Sequence, residues 1–458
     1  MRAKRHPSAK KSKLKPDQPS RHDRFFKEEG ADQRDPFERD RDRVLYSAEF
    51  RRLAGVTQVV HVEEGHVFHN RLTHSIKVAQ IARRLAEHLL KVTPREVLDA
   101  AGGLDPSVSE TAALCHDIGH PPFGHIAEEE LDKLLVKECK CQDGFEGNAQ
   151  SFRIVNAISI RSEADPGLNL TRATLNAILK YPWRRAPKGK ENRKWGFFSS
   201  EHSQFEFARV LNPTGDKRKS LEAEIMDLAD DVAYSVHDVD DFYRAGLVPF
   251  HQLLRPSNER SRFFESALPR LAEKRNIKIS EKHANAIFDD IGGLVRRGLE
   301  EPFTGSKSQR AALNTISTIL IRRFTFGPDF KSTKVSTRED QSRLKVAAKI
   351  LEEILLFKEI MGFYVYANPA LLGQQHGQRK VVRELFRELL SAVESTKGFS
   401  ILPEPFQSYL FDCDGTLQSK GRLISDFIAS LTEQQALNFH KRLTGLAPGS
   451  VRELIVRY

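Results

Sequence analysis

With 458 residues, 39% of them apolar and 29% charged, the chain has the material for a large buried core. Charges recur too often for a transmembrane span, which needs roughly 20 consecutive apolar residues. Four cysteines, with Cys139 and Cys141 one residue apart, exclude a disulfide-built scaffold and fit reduced thiols in a cytoplasmic protein.

The net charge of +10 is concentrated at one end: residues 1–24 hold nine Lys and Arg against two Asp. The opening MRAKRHPSAKKSKLKP has no apolar stretch after its charges, so no secretory leader is expected. Residues 1–34 read as a basic arm with too few apolar groups to offset its ordering entropy. Its bland reading is a solvated tail; its sharper one is a salt-dependent contact with nucleic acid. From about Asp35 the composition becomes globular, with no internal repeat and no Gly/Ser/Pro-rich linker.

Gln58–His61 and Val67–Phe68 are the candidates for a short hairpin around Glu64-Gly65. In Arg71–Leu90, residues Leu72, Ile76, Ala79, Ala82, Leu85, Ala86 and Leu89 recur every three or four positions, the stripe of an amphipathic helix. Ser220–Tyr243 behaves alike, as do Val346–Phe363 and Gln378–Val393. Two polar stretches, Arg184–Trp195 and Gly327–Gln341, read as mobile loops or insertions. The expected fold is mainly α-helical with at most a short β-hairpin.

The segment from Cys115 to His125, CHDIGHPPFGH, holds an adjacent His-Asp pair, two further histidines and a Gly/Pro-rich turn. Neighbouring residues on a helix point about 100° apart, so His116 and Asp117 reach one ion only at their shared edge. A second imidazole must come from another helix, and His74 is placed for that. A further carboxylate must come from elsewhere, and Asp230 is the best candidate. Two imidazoles with two carboxylates suit manganese, magnesium, iron, cobalt, nickel or zinc, leaving positions for water and substrate. A lone histidine is more often a core or surface residue, but the combination across three apolar segments argues for a metal site.

These blocks together resemble the HD superfamily, and within it the dGTP triphosphohydrolase (dGTPase) family. Residues 39–47 (RDRDRVLYS), Phe50-Arg51-Arg52-Leu53 and Thr57-Gln58-Val59 are similar to its opening. Asn70 to Ser75, His116 to His125, Phe145 to Gln150, Lys180-Tyr181-Pro182 and Asp230 to Ser235 follow in the family's order. Arg422 to Ser430 resembles the closing helix, where the expected Asp-Arg-Tyr is Glu433-Gln434-Gln435. The resemblance implies a multi-helical HD-domain phosphohydrolase fold: a catalytic core over 35–250 and a helical region over 251–458 packed on it.

It also implies His74, His116, Asp117 and Asp230 as ligands of a divalent metal, and hydrolysis of dGTP or other dNTPs to deoxynucleoside and triphosphate. A histidine is best suited to handle the proton of the attacking or leaving oxygen, and His125 is the candidate, oriented by Glu128 three residues on. His120 is expected to touch phosphate or support the site. Arg71, one turn before His74, is suited to grip phosphate bidentately, with Lys180, its neighbour Tyr181, and Lys194 as further substrate contacts. Tyr234 and Asp238, four and eight residues after Asp230, are expected on one helix face against the deoxyribose, with Gln58 on its 3′ side. Family members commonly assemble as hexamers or other homo-oligomers, and this is the expectation here.

Phe411 to Leu417 (FDCDGTL) looks like the nucleophile motif of haloacid-dehalogenase-type phosphatases, but only 41 residues follow, too few for the parallel sheet that chemistry needs. Two rival readings stand: an HD phosphohydrolase acting on another nucleotide, and an inactive, nucleotide-regulated nucleic-acid-binding protein.

Overall fold

Short polar side chains set where the helices begin. Asp35 accepts from the Phe37 N–H while Glu38 returns to the Asp35 backbone, opening α1 (Pro36–Tyr46) with proline in its first turn; Ser47 opens α2 (Ala48–Arg52). The computed structural model describes residues 19–447 apart from 29, 31, 59–68, 164, 214, 296–298, 300, 339–341 and 396–400. Asn70 caps α3 (Arg71–Val92), and α4 (Arg95–Ala100) leads to α5 (Pro106–Cys115), capped by Asp105. After α6 (His125–Lys137), α7 (Gly147–Arg153), α8 (Arg172–Ile178) and α9 (His202–Arg209) comes α10 (Leu221–Ala233). A five-residue π turn, Tyr234–Asp238, joins α10 to α11 (Val239–Arg244).

The chain continues through α12 (Phe250–Leu253), α13 (Asn258–Arg275), α14 (Glu281–Val295) and α15 (Lys307–Phe326). Strands β1 (Thr333–Val335) and β2 (Leu344–Val346) pair antiparallel, Thr333 opposite Val346. Then follow α16 (Ala348–Tyr364), α17 (Pro369–Glu394), α18 (Phe406–Asp412), α19 (Leu417–Ser430) and α20 (Glu433–Leu443). The molecule is mainly α-helical, as expected, and among the described residues no helix is long and apolar enough to cross a membrane.

Helix α3 lies along α5 and α10, and the buried faces of these three make the centre of the first hydrophobic cluster. That cluster runs across the boundary expected near residue 250: Phe242, Tyr243 and Phe250 share it with Phe263, Phe288, Phe324 and Phe357. Phe250 and Phe357 meet edge to face with centroids 6.1 Å apart. A second cluster joins α6 to α17, α19 and α20 through Leu131, Leu135, Phe386, Ile424, Phe427 and Phe439.

Three expectations change. The basic arm is not free up to residue 34. Residues 19–28 dock on the core because Arg24 donates to the fully buried Asp40 at 2.7 Å and to the carbonyls of Asn169 and Pro36, while Arg39 and Arg43 hold Glu28. Residues 1–18 lie outside the described residues. Nothing described bears on the hairpin expected around Glu64-Gly65, because residues 59–68 lie outside the described residues; Thr57 and Asn70 on either side of them form an isolated antiparallel bridge. The strand pair that is described begins inside the supposed insertion Gly327–Gln341, because Thr333 and Leu344 bury one face of it. The other polar stretch, Arg184–Trp195, is pinned at its ends, since Trp195 is buried and the Trp183 indole donates to the Lys194 carbonyl at 2.8 Å.

Asp412 to Leu417 also has a plain local role. Asp414 accepts from the Thr416 N–H and hydroxyl, and Thr416 caps α19. The acidic motif is a helix start.

Candidate metal centre

Three helices deliver the central side chains. Helix α5 ends at Cys115, so His116 and Asp117 leave it in a turn and are released from the fixed angle of a regular helix. The His116 Nδ1 stands 2.6 Å from the Ala113 carbonyl and therefore carries the proton, which leaves the Nε2 lone pair directed at the centre. Among the described residues that Nε2 is buried with no hydrogen-bond partner. His74, one turn into α3, places its Nε2 3.1 Å from the Asp230 Oδ1 of α10, and His116 Nε2 is 3.6 Å from the same oxygen. Ligand atoms of His74, His116 and Asp230 all lie within 4.8 Å of one another. Donors about 2 Å from a shared ion stand about 3 Å apart, so the trio fits a divalent cation.

The fourth expected ligand, Asp117, is beside the trio and turned toward a cation of the protein. Its Oδ2 is 3.5 Å from His116 Nε2 and accepts from Arg71 Nη1 at 2.7 Å; its Oδ1 is 3.2 Å from His120 Nδ1. Burial pushes the Asp117 carboxyl up, but Arg71 and the surrounding imidazoles outweigh it and hold the group well below the usual range. Asp230 is treated alike: burial raises it, while Lys180, at 2.9 Å from Oδ2, and His116 bring it well below. Lys180 also meets Asp227 at 2.9 Å, and these two carboxylates overcome the burial that would lower the lysine.

A second group sits on the turn from Ile118 to His125 and the start of α6. Close approach of two backbones shapes it: a Cβ on Gly119 would stand 2.1 Å from the Gly147 carbonyl. His125 Nδ1 is 2.6 Å from Glu128 Oε2, and the other Glu128 oxygen accepts from the Gly147 N–H at 2.8 Å and lies 3.6 Å from His120 Nε2. Burial raises Glu128, but Lys194 (3.5 Å away) and the two imidazoles hold it charged; Lys194 donates to the buried Glu146 at 2.8 Å. His120 is pushed down to about 3 by burial and by Arg71, so it is neutral near pH 7. His125, in contrast, is 67% exposed and open to whatever enters the centre.

The sugar-side residues are arranged differently from a plain helix face. The π turn at Tyr234–Asp238 shifts the register, so Tyr234 and Asp238 do not simply stack above Asp230. The Tyr234 hydroxyl meets the Tyr366 hydroxyl at 2.5 Å, and Lys358, which pairs with Asp231, lies 5.5 Å from the Tyr234 ring centroid. Asp238 is buried, and that burial with Asp241 and Asp230 raises it well above an ordinary carboxyl. Gln58 has a buried Oε1 with no partner among the described residues. Tyr181 packs edge-on to Trp183. Sequence reading passed over Asp227, Glu146, Lys358 and Tyr366. Asp227 had a local signal, three residues before Asp230; the last two sit near or beyond the end of α16, with no motif to mark them.

Comparison with known proteins gives the family of the chain. Residues 71–235 match the HD domain and residues 344–442 the phosphohydrolase-associated domain. The chain is similar to the deoxyguanosinetriphosphate triphosphohydrolase-like protein of Corynebacterium efficiens, 34% identical over 91% of this chain and 93% of that one. The protein of that name from Streptomyces coelicolor is 35% identical over 90% and 93%, and the numbered form 2 from Mesorhizobium japonicum is 30% identical over 91% and 94%. The chain belongs to the HD-domain family of deoxyguanosinetriphosphate triphosphohydrolase-like proteins.

Proposed function

We propose that the chain hydrolyses deoxynucleoside triphosphates, dGTP among them, to deoxynucleoside and inorganic triphosphate. The observation that carries this reading is the meeting of His74, His116 and Asp230 beside the His125–Glu128 pair, in a chain whose relatives bear the triphosphohydrolase-like name. His74, His116, Asp117 and Asp230 would hold the cation, with manganese or magnesium the first choice for this N/O donor set. When bound, such a cation polarises a phosphate oxygen and makes water a better nucleophile.

The protein's own groups do the rest. Attack of water on the α-phosphorus makes a new P–O bond in triphosphate and breaks the bond to O5′, which must take up a proton. His125 is the group that moves it, because Nδ1 is tied to Glu128 and Nε2 is left to face substrate. The Glu128 carboxylate steadies the ring when it is positively charged. Neutral His120, whose buried Nδ1 has no hydrogen-bond partner among the described residues, contributes hydrogen bonding to phosphate or supports Asp117 beside it. Arg71, Lys180 and Lys194 border the centre and offset the phosphate charges. Tyr181 lines the same side. Tyr234 fills the space a 2′-hydroxyl would need, and Asp238 and Gln58 receive the 3′-hydroxyl.

The test is product chromatography with each dNTP, rNTP and cyclic or monophosphate nucleotide, in manganese and in magnesium. Intact triphosphate from dNTPs, lost in His116→Ala and Asp230→Ala, is the expected result. Turnover confined to other nucleotides, or normal dNTP turnover by either variant, overturns the reading.

A further inference from the structure

A carboxylate from near the end of the chain reaches the histidine turn. Glu433 is the first residue of α20 and is 3% exposed. Its Oε1 accepts from the backbone N–H of Thr57 at 3.0 Å and from that of Phe123 at 3.3 Å, and its Oε2 accepts from the Thr57 hydroxyl at 2.6 Å. A second strap runs beside it: Arg52 donates to the carbonyls of Ile118 and His120, both at 2.8 Å, and to the Leu431 carbonyl at 3.1 Å. The fit is close, since a Cβ on Gly55 would stand 2.7 Å from Thr432 Cγ2.

The two segments joined by Glu433 each lead straight to a site residue. Thr57 precedes Gln58. Phe123 precedes Gly124 and His125, and Phe123 has φ of 68°, a left-handed conformation that a non-glycine side chain adopts only when its surroundings enforce it. Hydrogen bonds within the turn do not reach the Phe123 N–H; the Glu433 carboxylate does. No residue of the 71–235 match supplies this acceptor; it comes from the phosphohydrolase-associated region.

We propose that Glu433 is a positioning residue, holding the 118–125 turn, and through it His125, in register with the metal centre while fixing Thr57 beside Gln58. The catalytic half of the claim rests on the function proposed above. The role is geometric: an acceptor must face the two N–H groups, and the second terminal atom must meet the Thr57 hydroxyl. A carboxamide satisfies both, because its oxygen still accepts and its NH2 donates to the hydroxyl oxygen. A methyl group satisfies neither.

The experiment compares wild type, Glu433→Ala and Glu433→Gln for manganese affinity, melting temperature, kcat and KM on dGTP, and amide hydrogen exchange of the 118–125 peptide. In Glu433→Ala, kcat is expected to fall about 10²-fold, the scale of a small misplacement of a catalytic group, with KM within about threefold and manganese affinity unchanged. Glu433→Gln is expected to recover most of the loss, and faster exchange over 118–125 to track it while α3 stays protected. An alanine variant with unchanged kcat and exchange overturns the proposal. So does an alanine variant that loses manganese binding and folding in step, or a glutamine variant as impaired as alanine. Should wild type hydrolyse no nucleotide, the proposed function fails, and the exchange data still decide whether Glu433 holds the turn.

Discussion

Lys180 and His74 approach Asp230 from opposite sides: the ammonium is 2.9 Å from Oδ2, and the imidazole Nε2 is 3.1 Å from Oδ1. One carboxylate thus has one oxygen neutralised by a protein cation and the other directed into the cluster of ring nitrogens. Asp227 shares the lysine at 2.9 Å, which fixes the ammonium in place.

Lys180 therefore aims a candidate metal ligand, and its removal should be felt at the metal. Lys180→Met is expected to weaken manganese binding or kcat/KM by about 10–100-fold, the usual cost of losing a group that orients a ligand. Calorimetric titration with manganese, with kinetics in parallel, checks it. Unchanged values for both would make Lys180 a bystander.

The His125–Glu128 pair should separate chemistry from metal binding. In His125→Gln and Glu128→Gln, kcat is expected to drop about 10²–10⁴-fold while metal content by elemental analysis stays at the wild-type level. His120 is held neutral, down to about 3, by burial and Arg71, so His120→Asn should leave the shape of the kcat profile unchanged near neutral pH. A profile whose shape near neutrality changes in the His120 variant sinks the assignment.

Tyr234 should control the sugar. Tyr234→Ala is expected to narrow the preference for dGTP over GTP by tenfold or more, by raising GTP turnover, on the order of 1.4 kcal/mol. Tyr366→Phe removes one hydrogen bond to Tyr234, worth about 1 kcal/mol, and should shift the same ratio only severalfold. Competition assays with both nucleotides measure this directly. An unchanged ratio in the alanine variant places the discrimination elsewhere.

The docked N-terminal segment should be acid-labile through Glu28. Burial raises this carboxyl, but Arg43 and Arg24 outweigh it and bring it from 4.5 down to about 2. A folded-state value below the unfolded one contributes stability that is fully present above about pH 4.5 and is lost as pH falls toward 2. The melting-temperature gap between wild type and Glu28→Gln is therefore expected to be constant from pH 7 to 5 and to close below 4. A gap as wide at pH 2.5 as at pH 7 contradicts the ion-pair account.

Much of the helical layout was legible because it is written in local terms. The stripe from Leu72 to Leu89 and the cap at Asn70 need only nearest turns to be read, and α3 follows them within two residues. The same holds for α16, and for α17 apart from its earlier start at Pro369. Docking of residues 19–28 was not legible, since Arg24 looks like any other arm charge until Asp40 and Asn169 are brought to it. The π turn was missed because its apolar spacing passes for an α-helical one.

The sequence alone determined that His74, His116, Asp117 and Asp230 carry donor atoms suited to one cation, and that the helices bearing them have an apolar side to bury together. Side-chain chemistry and helical periodicity are properties of short segments, so they survive without a fold. Only the tertiary structure decided which cation faces which carboxylate: Arg71 on Asp117, Lys180 on Asp230, Lys194 between Glu128 and Glu146. It also decided that Glu433 meets Phe123 across 310 positions of chain. Such pairings are set by how buried helices settle against one another, where a charge without a partner is costly, and no local pattern encodes that outcome.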